Sequence, residues 1–205
     1  AITTMNKIIY KKIYNIFKQN DGYAYTRDIT GAGIHNIYLN ELLEDRKIER
    51  IKWGLYRWVG MERAGASSMV DVSLAIPKGV ICLQYALAYH NLTTAKPWEI
   101  SVAISKKDRV IPPDYPPVKL YYFLPRIYNA GIEIIQIGKH RVKIYNREKT
   151  ICDCMRYRKQ IGQDIIKEMM LNYLNYHNRN LELLLKYADI CRVTRQIKMY
   201  LEVLS

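Results

Sequence analysis

The chain has 205 residues, enough for one large domain or two small ones. It carries 32 Lys and Arg against 19 Asp and Glu, a formal net charge of +13 that favours a polyanionic partner, most commonly nucleic acid, with a membrane surface as the alternative. No apolar run is long enough to span a bilayer and there is no secretory hydrophobic region, so we expect no membrane partner and a cytoplasmic location. Its richness in Ile, Lys, Tyr and Asn is also typical of AT-rich coding DNA, which weakens an argument from charge alone.

The motifs of common catalytic and metal sites are missing from the sequence. None of the 4 cysteines forms a CxxC pair, and the 4 histidines lack the spacing of metal ligands, so reduced thiols are expected. There is no GxGxxG, Walker-type, GxSxG or HExxH motif. Asp71 is isolated from other acidic residues in the sequence. The sequence therefore predicts no metal, no cofactor and no catalytic residue, and a protein that is not an enzyme.

The first predicted element is a helix over residues 6–19. Met5 is expected to be the native start, with residues 1–4 as a remnant of cloning. Five apolar side chains follow the helical period and should face inward, while the intervening lysines face outward: Ile8, Ile9, Ile13, Ile16 and Phe17. Asn20, Asp21 and Gly22 end the helix.

Two further helices joined by a glycine turn follow. Thr26 is a plausible N-cap for a short helix over residues 27–30, and residues 31–33, Gly-Ala-Gly, form a tight turn. The next helix covers residues 34–46. Two helices in this arrangement, followed by a basic hairpin, are typical of a winged helix-turn-helix.

The helix over residues 34–46 has an apolar and a polar face. Leu39, Leu42 and Leu43 share the face that should be core. Glu41 and Glu44 lie late on the opposite face, and the early positions are neutral: Asn36, Ile37 and Asn40. A helix that enters a major groove by its N-terminal end needs this order, with asparagine pairing with adenine and isoleucine contacting a thymine methyl. The same pattern also suits a solvated surface helix.

A small hairpin completes this region, with strands at residues 48–51 and 55–58 and a turn at residues 52–54. Only Glu49 interrupts its cluster of cations, which is Arg46, Lys47, Arg50, Lys52 and Arg57. A wing that lies along the DNA backbone needs this charge. Trp53 at the tip has no obvious core to fill, so it either packs on a neighbouring domain or lies against the sugar-phosphate backbone.

The remaining chain predicts a second domain. The shift in composition at residues 60–69 marks a linker, so we expect a winged helix-turn-helix over residues 5–59 and an α+β domain over residues 70–205. Residues 70–76 are a short helix or strand, and a buried helix covers residues 82–90. Strands follow at 98–105, 118–124, 132–137 and 141–146, and then a bundle of helices at 147–158, 163–176, 180–190 and 193–204.

A basic turn between the last two strands and the cations beyond it form a second candidate DNA-facing patch. Its members are Lys139, His140, Arg141, Lys143, Arg147 and Lys149. The alternative is a solvated edge strand, on which lysines discourage pairing with other strands.

The order of these features resembles the AbiEi-type antitoxins of bacterial abortive-infection loci. The resemblance is carried by the hairpin GLY at residues 54–56, the segment at residues 85–92 and EKTICD at residues 148–153, and it covers the chain from Met5 onward. Each motif is loose alone, whereas their order and spacing are more specific. The chain departs from the commoner pattern in being rich in tyrosine and lysine.

The resemblance implies an antitoxin of a type IV toxin-antitoxin system that acts in phage defence. Such a protein represses its own operon by binding inverted repeats in double-stranded DNA, and it counteracts a nucleotidyltransferase-like toxin without requiring a stable complex. Thr26 and Arg27 match the start of the first helix of the motif, His35 to Asn40 match the recognition helix, and Arg50 to Trp53 match the wing. The implied DNA-binding residues are Thr26, Arg27, His35, Asn36, Ile37, Asn40, Arg46, Lys47, Arg50, Lys52 and Trp53.

Two other functions fit the sequence. The first is a winged-helix protein-interaction module that does not bind DNA. The second, weaker one is a nuclease, suggested by the basic β segment but opposed by the lack of clustered carboxylates.

Overall fold

The computed structural model describes residues 5–61 and 67–204, and the chain divides into two compact units. The first comprises Ala1–Pro77, Pro112–Pro116 and Gln136–Arg141, and the second comprises Lys78–Ile111, Pro117–Ile135 and Val142–Ser205. Both contain helices and strands, so the predicted α+β class is confirmed. Residues 1–4, and residues 62–66 of the predicted linker, lie outside the described residues.

The first unit combines helices with a three-stranded antiparallel sheet in the order β1-β3-β2. Its elements are α1 (Lys7–Gln19), β1 (Tyr23–Tyr25), α2 (Thr26–Gly31), α3 (Ile37–Glu44), β2 (Ile48–Lys52), β3 (Leu55–Trp58) and α4 (Ser67–Ala75). The strand β1 was not predicted from the sequence, because three residues are too few to show a period. Residues 70–76 were predicted as either helix or strand, and they are part of α4 up to Ala75.

The core of the first unit forms between α1, α3 and the sheet. Ile13 and Phe17 of α1 are buried, and Tyr10, Tyr14 and Phe17 meet the Trp58 ring edge-on at 5.1–5.7 Å between ring centres. Ile8, predicted to face inward, is 64% exposed, so that prediction is wrong. It lies five residues before Ile13, roughly 140° around the helix from the buried stripe.

The second unit is built on a five-stranded mixed sheet in the order β6-β5-β4-β8-β7. Its elements are β4 (Val80–Ile81), α5 (Leu83–Tyr89), β5 (Ile100–Ser105), β6 (Val118–Phe123), α6 (Pro125–Tyr128), β7 (Ile132–Ile137), β8 (His140–Tyr145), α7 (Arg147–Arg156), α8 (Arg158–Ile161), α9 (Gln163–Leu174), α10 (Leu181–Cys191) and α11 (Thr194–Leu204). The residues of β7 and β8 that fall within 136–141 are counted in the first unit. β4 runs antiparallel to β5 and parallel to β8, and β5 runs parallel to β6. The longer helices and strands match the predicted ones within a few residues, whereas β4, α6 and α8 are missed because they have only two to four residues.

The helix α7 lies at the centre of the second unit, where it packs against α5, α9, α10 and α11. Every residue from Glu148 to Met155 is buried, although several are polar. Lys149 donates hydrogen bonds of 2.7 and 2.6 Å to the two carboxylate oxygens of Asp153, and both side chains are 0% exposed. Charges this deep are tolerated only when they are paired in this way.

Gly131 makes room for the buried lysine. Its φ is +72°, and a Cβ at this position would lie 2.5 Å from the Cβ of Lys149. Glycine is therefore needed both for the left-handed backbone and for the close approach of α7.

Candidate nucleic-acid interface

The start of α2 is joined to the hairpin by the backbone. The N–H of Tyr25 donates to the Asp28 carboxylate at 2.7 Å, so Tyr25 is the N-cap and the prediction of Thr26 in that role is wrong by one residue. The N–H of Thr26 instead donates to the carbonyl of Gly54 at 2.9 Å, and this bond ties α2 to the tip of the hairpin. The exposed Arg27 next to it stacks its guanidinium over the Tyr25 ring at 4.5 Å.

The turn between α2 and α3 orients the second helix. Gly33 adopts a φ of +74°, and the N–H of Ile34 donates back to the carbonyl of Ile29 at 3.2 Å. The exposed His35 accepts a hydrogen bond of 3.2 Å on Nδ1 from the N–H of Ile37, which stabilises the first turn of α3. The helix then runs from Ile37 to Glu44, shorter than the predicted span of residues 34–46.

The outer face of α3 presents the three neutral residues that the sequence places early in the helix. Asn36 occupies the N-cap without a side-chain capping bond, Ile37 is 52% exposed and Asn40 is exposed. We call these three residues the recognition face. Leu39 and Leu42 on the inner face are each 1% exposed, so the helical wheel divides the two faces as predicted.

The hairpin of β2 and β3, which we call the wing, buries one set of side chains and exposes another. Ile48, Ile51 and Leu55 are each 2% exposed. At the tip, Trp53 is 85% exposed, and the guanidinium of Arg50 lies 5.5 Å from the centre of its ring. The wing thus presents a cation and an aromatic ring together, a pair that suits contact with a phosphate backbone and a sugar.

Two cations of the wing are held within the first unit. Arg57, counted from the sequence among the cations for the DNA backbone, contacts Asp71 and Glu49 at 2.5 Å each, and its side chain is 12% exposed. That assignment is wrong, because the guanidinium already has two carboxylate partners. Lys52 donates from Nζ to the carbonyl of Ala75 at 3.1 Å, so part of its hydrogen-bonding capacity is used. Arg46 and Lys47 remain exposed between α3 and the wing.

Asp71, which is isolated in sequence, is an organising residue in the structure. It is 0% exposed, and it accepts a hydrogen bond of 2.6 Å from the Tyr23 hydroxyl in addition to its contact with Arg57. It connects α4 with β1 and β3. The sequence carries no local sign of this role, because the partners lie 48 and 14 residues away.

The structure does not bring the members of the second basic patch together as one exposed surface. Lys139 donates to the carbonyl of Gln19 from Nζ at 2.9 Å, His140 packs edge-on against Tyr23 at 5.1 Å, and Arg141 is exposed. These three residues belong to the first unit.

The other three members of the patch belong to the second unit. Lys143 is half-buried, and Arg147 stacks over the Tyr176 ring at 3.7 Å. Lys149 is fully buried on Asp153 and cannot contact DNA in this fold, so its assignment to the patch is wrong.

Comparisons with known proteins assign neither a family nor a function to the chain. No model of a known protein family matches the chain, and no curated protein matches it either. In residues 5–61 and 67–204, no helix has both the length and the apolar character needed to cross a membrane. The same residues contain no group of three or more His, Cys, Asp or Glu side chains that could hold a metal ion.

Proposed function

We propose that residues 5–59 form a winged helix-turn-helix that binds double-stranded DNA in a sequence-specific way. The element order, α1-β1-α2-α3-β2-β3, with the hairpin closing a three-stranded sheet, is the order expected of that domain. The observation that carries the proposal is the exposure of Asn36, Ile37 and Asn40 on a helix whose other face is core. Neutral side chains at the N-terminal end of a helix are suited to reading base edges.

The wing supplies the complementary contact in this proposal. Arg50 and Trp53 would lie along the sugar-phosphate backbone, with Arg46 and Lys47 adding charge at the base of the wing. Arg27 at the start of α2 is exposed and would contact a phosphate of the same duplex. The net charge of +13 supports association with a polyanion.

The wider proposal is a repressor of its own operon that also acts as an antitoxin, as the resemblance to AbiEi-type antitoxins implies. Its DNA targets would be inverted repeats in the promoter, which match the symmetry of two bound copies. Its second role would be to counteract a nucleotidyltransferase-like toxin encoded next to it. It would act without catalysis. This role is tested by co-expression with the neighbouring gene, where rescue of growth supports it and continued toxicity contradicts it.

Binding to the region upstream of its own gene tests the DNA-binding proposal directly. The association constant, measured by fluorescence anisotropy over a salt series, should fall with a log-log slope of about −0.9 for each phosphate contact. A flat response to salt contradicts the proposal. Arg50→Ala should weaken binding to all sequences and reduce the slope, whereas Asn40→Ala should lose roughly 1–3 kcal/mol of discrimination at one base pair.

Lys12→Ala is the matched control for the loss of charge. Lys12 is exposed on α1, in the same unit, and belongs to neither the recognition face nor the wing. Its substitution should change affinity much less than Arg50→Ala. If Asn36→Ala and Asn40→Ala bind every operator variant as the parent does, α3 does not read DNA.

A protein-interaction module is the second candidate function. It is favoured by the exposure of the apolar side chains of Ile37 and Trp53, because large apolar groups at the surface also mark protein interfaces. A gel-shift experiment with the upstream DNA distinguishes the two functions. A retarded complex that specific competitor DNA removes supports DNA binding, and the absence of any complex at low salt supports the interaction module.

A further inference from the structure

The second unit contains a cavity of about 360 Å³ whose wall is unusually cationic. Four of its ten lining residues are arginines, which come from α6, α7, α8 and the end of α10: Arg126, Arg156, Arg158 and Arg192. Among the described residues, no Asp or Glu lines it. We call it the arginine pocket. Arginine side chains that line one cavity repel each other unless an anion lies between them.

The acidic groups nearby do not neutralise the arginine pocket. Asp189 lies 3.4 Å from Arg126, but the two side chains are 79% and 65% exposed, so water screens this pair. Asp153 accepts a hydrogen bond of 3.5 Å from the Sγ of the lining residue Cys191, but it is fully buried and both of its oxygens are bonded to Lys149. The cavity therefore keeps a large positive charge.

Two of the arginines have distinctive local geometry, one in its side chain and one in its backbone. Arg158 donates from Nη1 to the carbonyl of Met155 at 3.2 Å, which orients its guanidinium at the end of α7. Arg192 follows α10 with a φ of +60°, in the left-handed position where helices usually end with glycine. A residue with a Cβ is disfavoured there, and such strained positions recur in ligand clamps.

A helix begins at the same wall of the pocket. Val193 precedes α11 and Gln196 lies in its first turn, and both line the cavity. The N-terminus of an 11-residue helix carries partial positive charge and presents backbone N–H groups, which adds to the attraction of the four guanidiniums for an anion. Ile127, Ile190 and Val193 supply apolar surface beside this charge.

We propose that the arginine pocket binds a free nucleotide, with its oligophosphate on the arginines and its base against the apolar side chains. Planar guanidinium groups bind phosphate oxygens in pairs, and four of them suit an oligophosphate better than a single phosphate. The concave shape and the size of the cavity suit a small molecule. This proposal does not depend on DNA binding by the first unit, because all the lining residues belong to the second unit.

The proposal is tested by isothermal titration calorimetry of the full chain with ATP and with pyrophosphate, in excess EDTA and at low salt. Both probes should bind with a dissociation constant below about 1 mM, and ATP should bind more tightly because the base adds contact. The double variant Arg126→Gln/Arg156→Gln removes two exposed guanidiniums and should weaken both probes at least about tenfold. The matched control is Lys167→Gln/Lys186→Gln, which removes two exposed charges from α9 and α10 outside the pocket.

Arg192→Gly is the second variant, and it keeps the test valid if the double variant does not fold. It relieves the left-handed backbone while it removes a guanidinium, so it should retain the thermal stability of the parent and still lose affinity for both probes. The proposal is overturned if neither probe binds, or if the lysine control loses as much affinity as the arginine variant. It is also overturned if the arginine variants lose affinity for DNA while they bind ATP as the parent does, since the pocket would then belong to a polynucleotide surface.

Discussion

Arg57 on β3 places its guanidinium 2.5 Å from the carboxylate of Asp71 on α4, and the carboxylate side chain is 1% exposed. The pair, with the Tyr23 hydroxyl on the same carboxylate, joins three elements of the first unit. It stabilises the base of the wing from within. It also removes one cation from the surface, whereas Arg50 and Trp53 remain exposed near the tip of the wing.

Asp71→Asn should destabilise the first unit by about 2–3 kcal/mol, because Arg57 then keeps its charge without its buried partner. Urea unfolding followed by tryptophan fluorescence measures this, since Trp58 is buried in that core. The control is Glu49→Gln, which alters the other carboxylate on Arg57. Glu49 is 54% exposed, so the control should cost less than about 1 kcal/mol. Equal losses in the two variants would contradict the central role of Asp71.

Lys149→Met should cost roughly 3–5 kcal/mol, because Asp153 is left charged or protonated inside the core without its partner. The double variant Lys149→Met/Asp153→Leu should recover much of that loss, since a buried ion pair is often replaceable by apolar side chains. A double-mutant cycle of unfolding free energies measures the coupling. Additive effects of the two substitutions would mean that the pair does not interact as the structure shows.

Trp53→Ala should leave stability within about 0.5 kcal/mol of the parent, because the ring is 85% exposed. If the wing contacts DNA as proposed, the same substitution should weaken operator binding severalfold at low salt. Thermal unfolding and anisotropy titration separate the two effects. Unchanged affinity would remove the ring from the proposed interface, while a large loss of stability would mean that it packs within the protein.

His90 should make the second unit less stable as the pH falls. Burial lowers the pKa of His90, although its hydrogen bond of 2.8 Å from Nε2 to the carbonyl of Tyr145 opposes the shift. Above a pH of about 6.5 the ring is neutral in both states, and below it the unfolded chain binds a proton that the folded chain does not. Stability is therefore lost as the pH falls from about 6.5 towards the folded pKa.

His90→Gln should reduce that loss, because glutamine can donate the same hydrogen bond but does not titrate. The measurement is the difference in melting temperature between pH 7.5 and 5.5, which should be smaller in the variant by a few degrees. Identical pH dependence in the two proteins would show that His90 does not contribute.

The thiols should be almost inert in the folded protein. All 4 cysteines are buried, and burial raises the pKa of each of them, that of Cys191 to about 12. At pH 8 a thiol with such a pKa is ionised in only about one molecule in ten thousand, and only the thiolate reacts. Ellman's reagent should therefore label the native protein slowly and all 4 cysteines after denaturation. Rapid labelling of one thiol in the native protein would show that a helix of the second unit opens readily.

Local pattern predicted most of the elements and the two faces of α3. The spacing of Leu39 and Leu42 identified the core side of that helix, and the same period placed Ile37 and Asn40 outside. The exposed Trp53 was marked by its place in a short turn. Short strands such as β1 and β4 were missed, since their stability comes from pairing with distant strands and not from a periodic pattern.

The sequence by itself determined the α+β class, the basic character of the chain and the polar edge of α3, because these follow from composition and from the periods of neighbouring residues. Only the tertiary structure decided which cations face water. The sequence suggests that Lys149 and Arg57 are surface charges, but in the structure they are held in ion pairs with Asp153 and Asp71. The four arginines of the pocket line one cavity only because α6, α7, α8 and α10 pack together. The physical reason is that burial depends on contacts between residues far apart in the chain. Lys149 and Asp153 are only four residues apart, but the packing of other helices around α7 is what removes the pair from water.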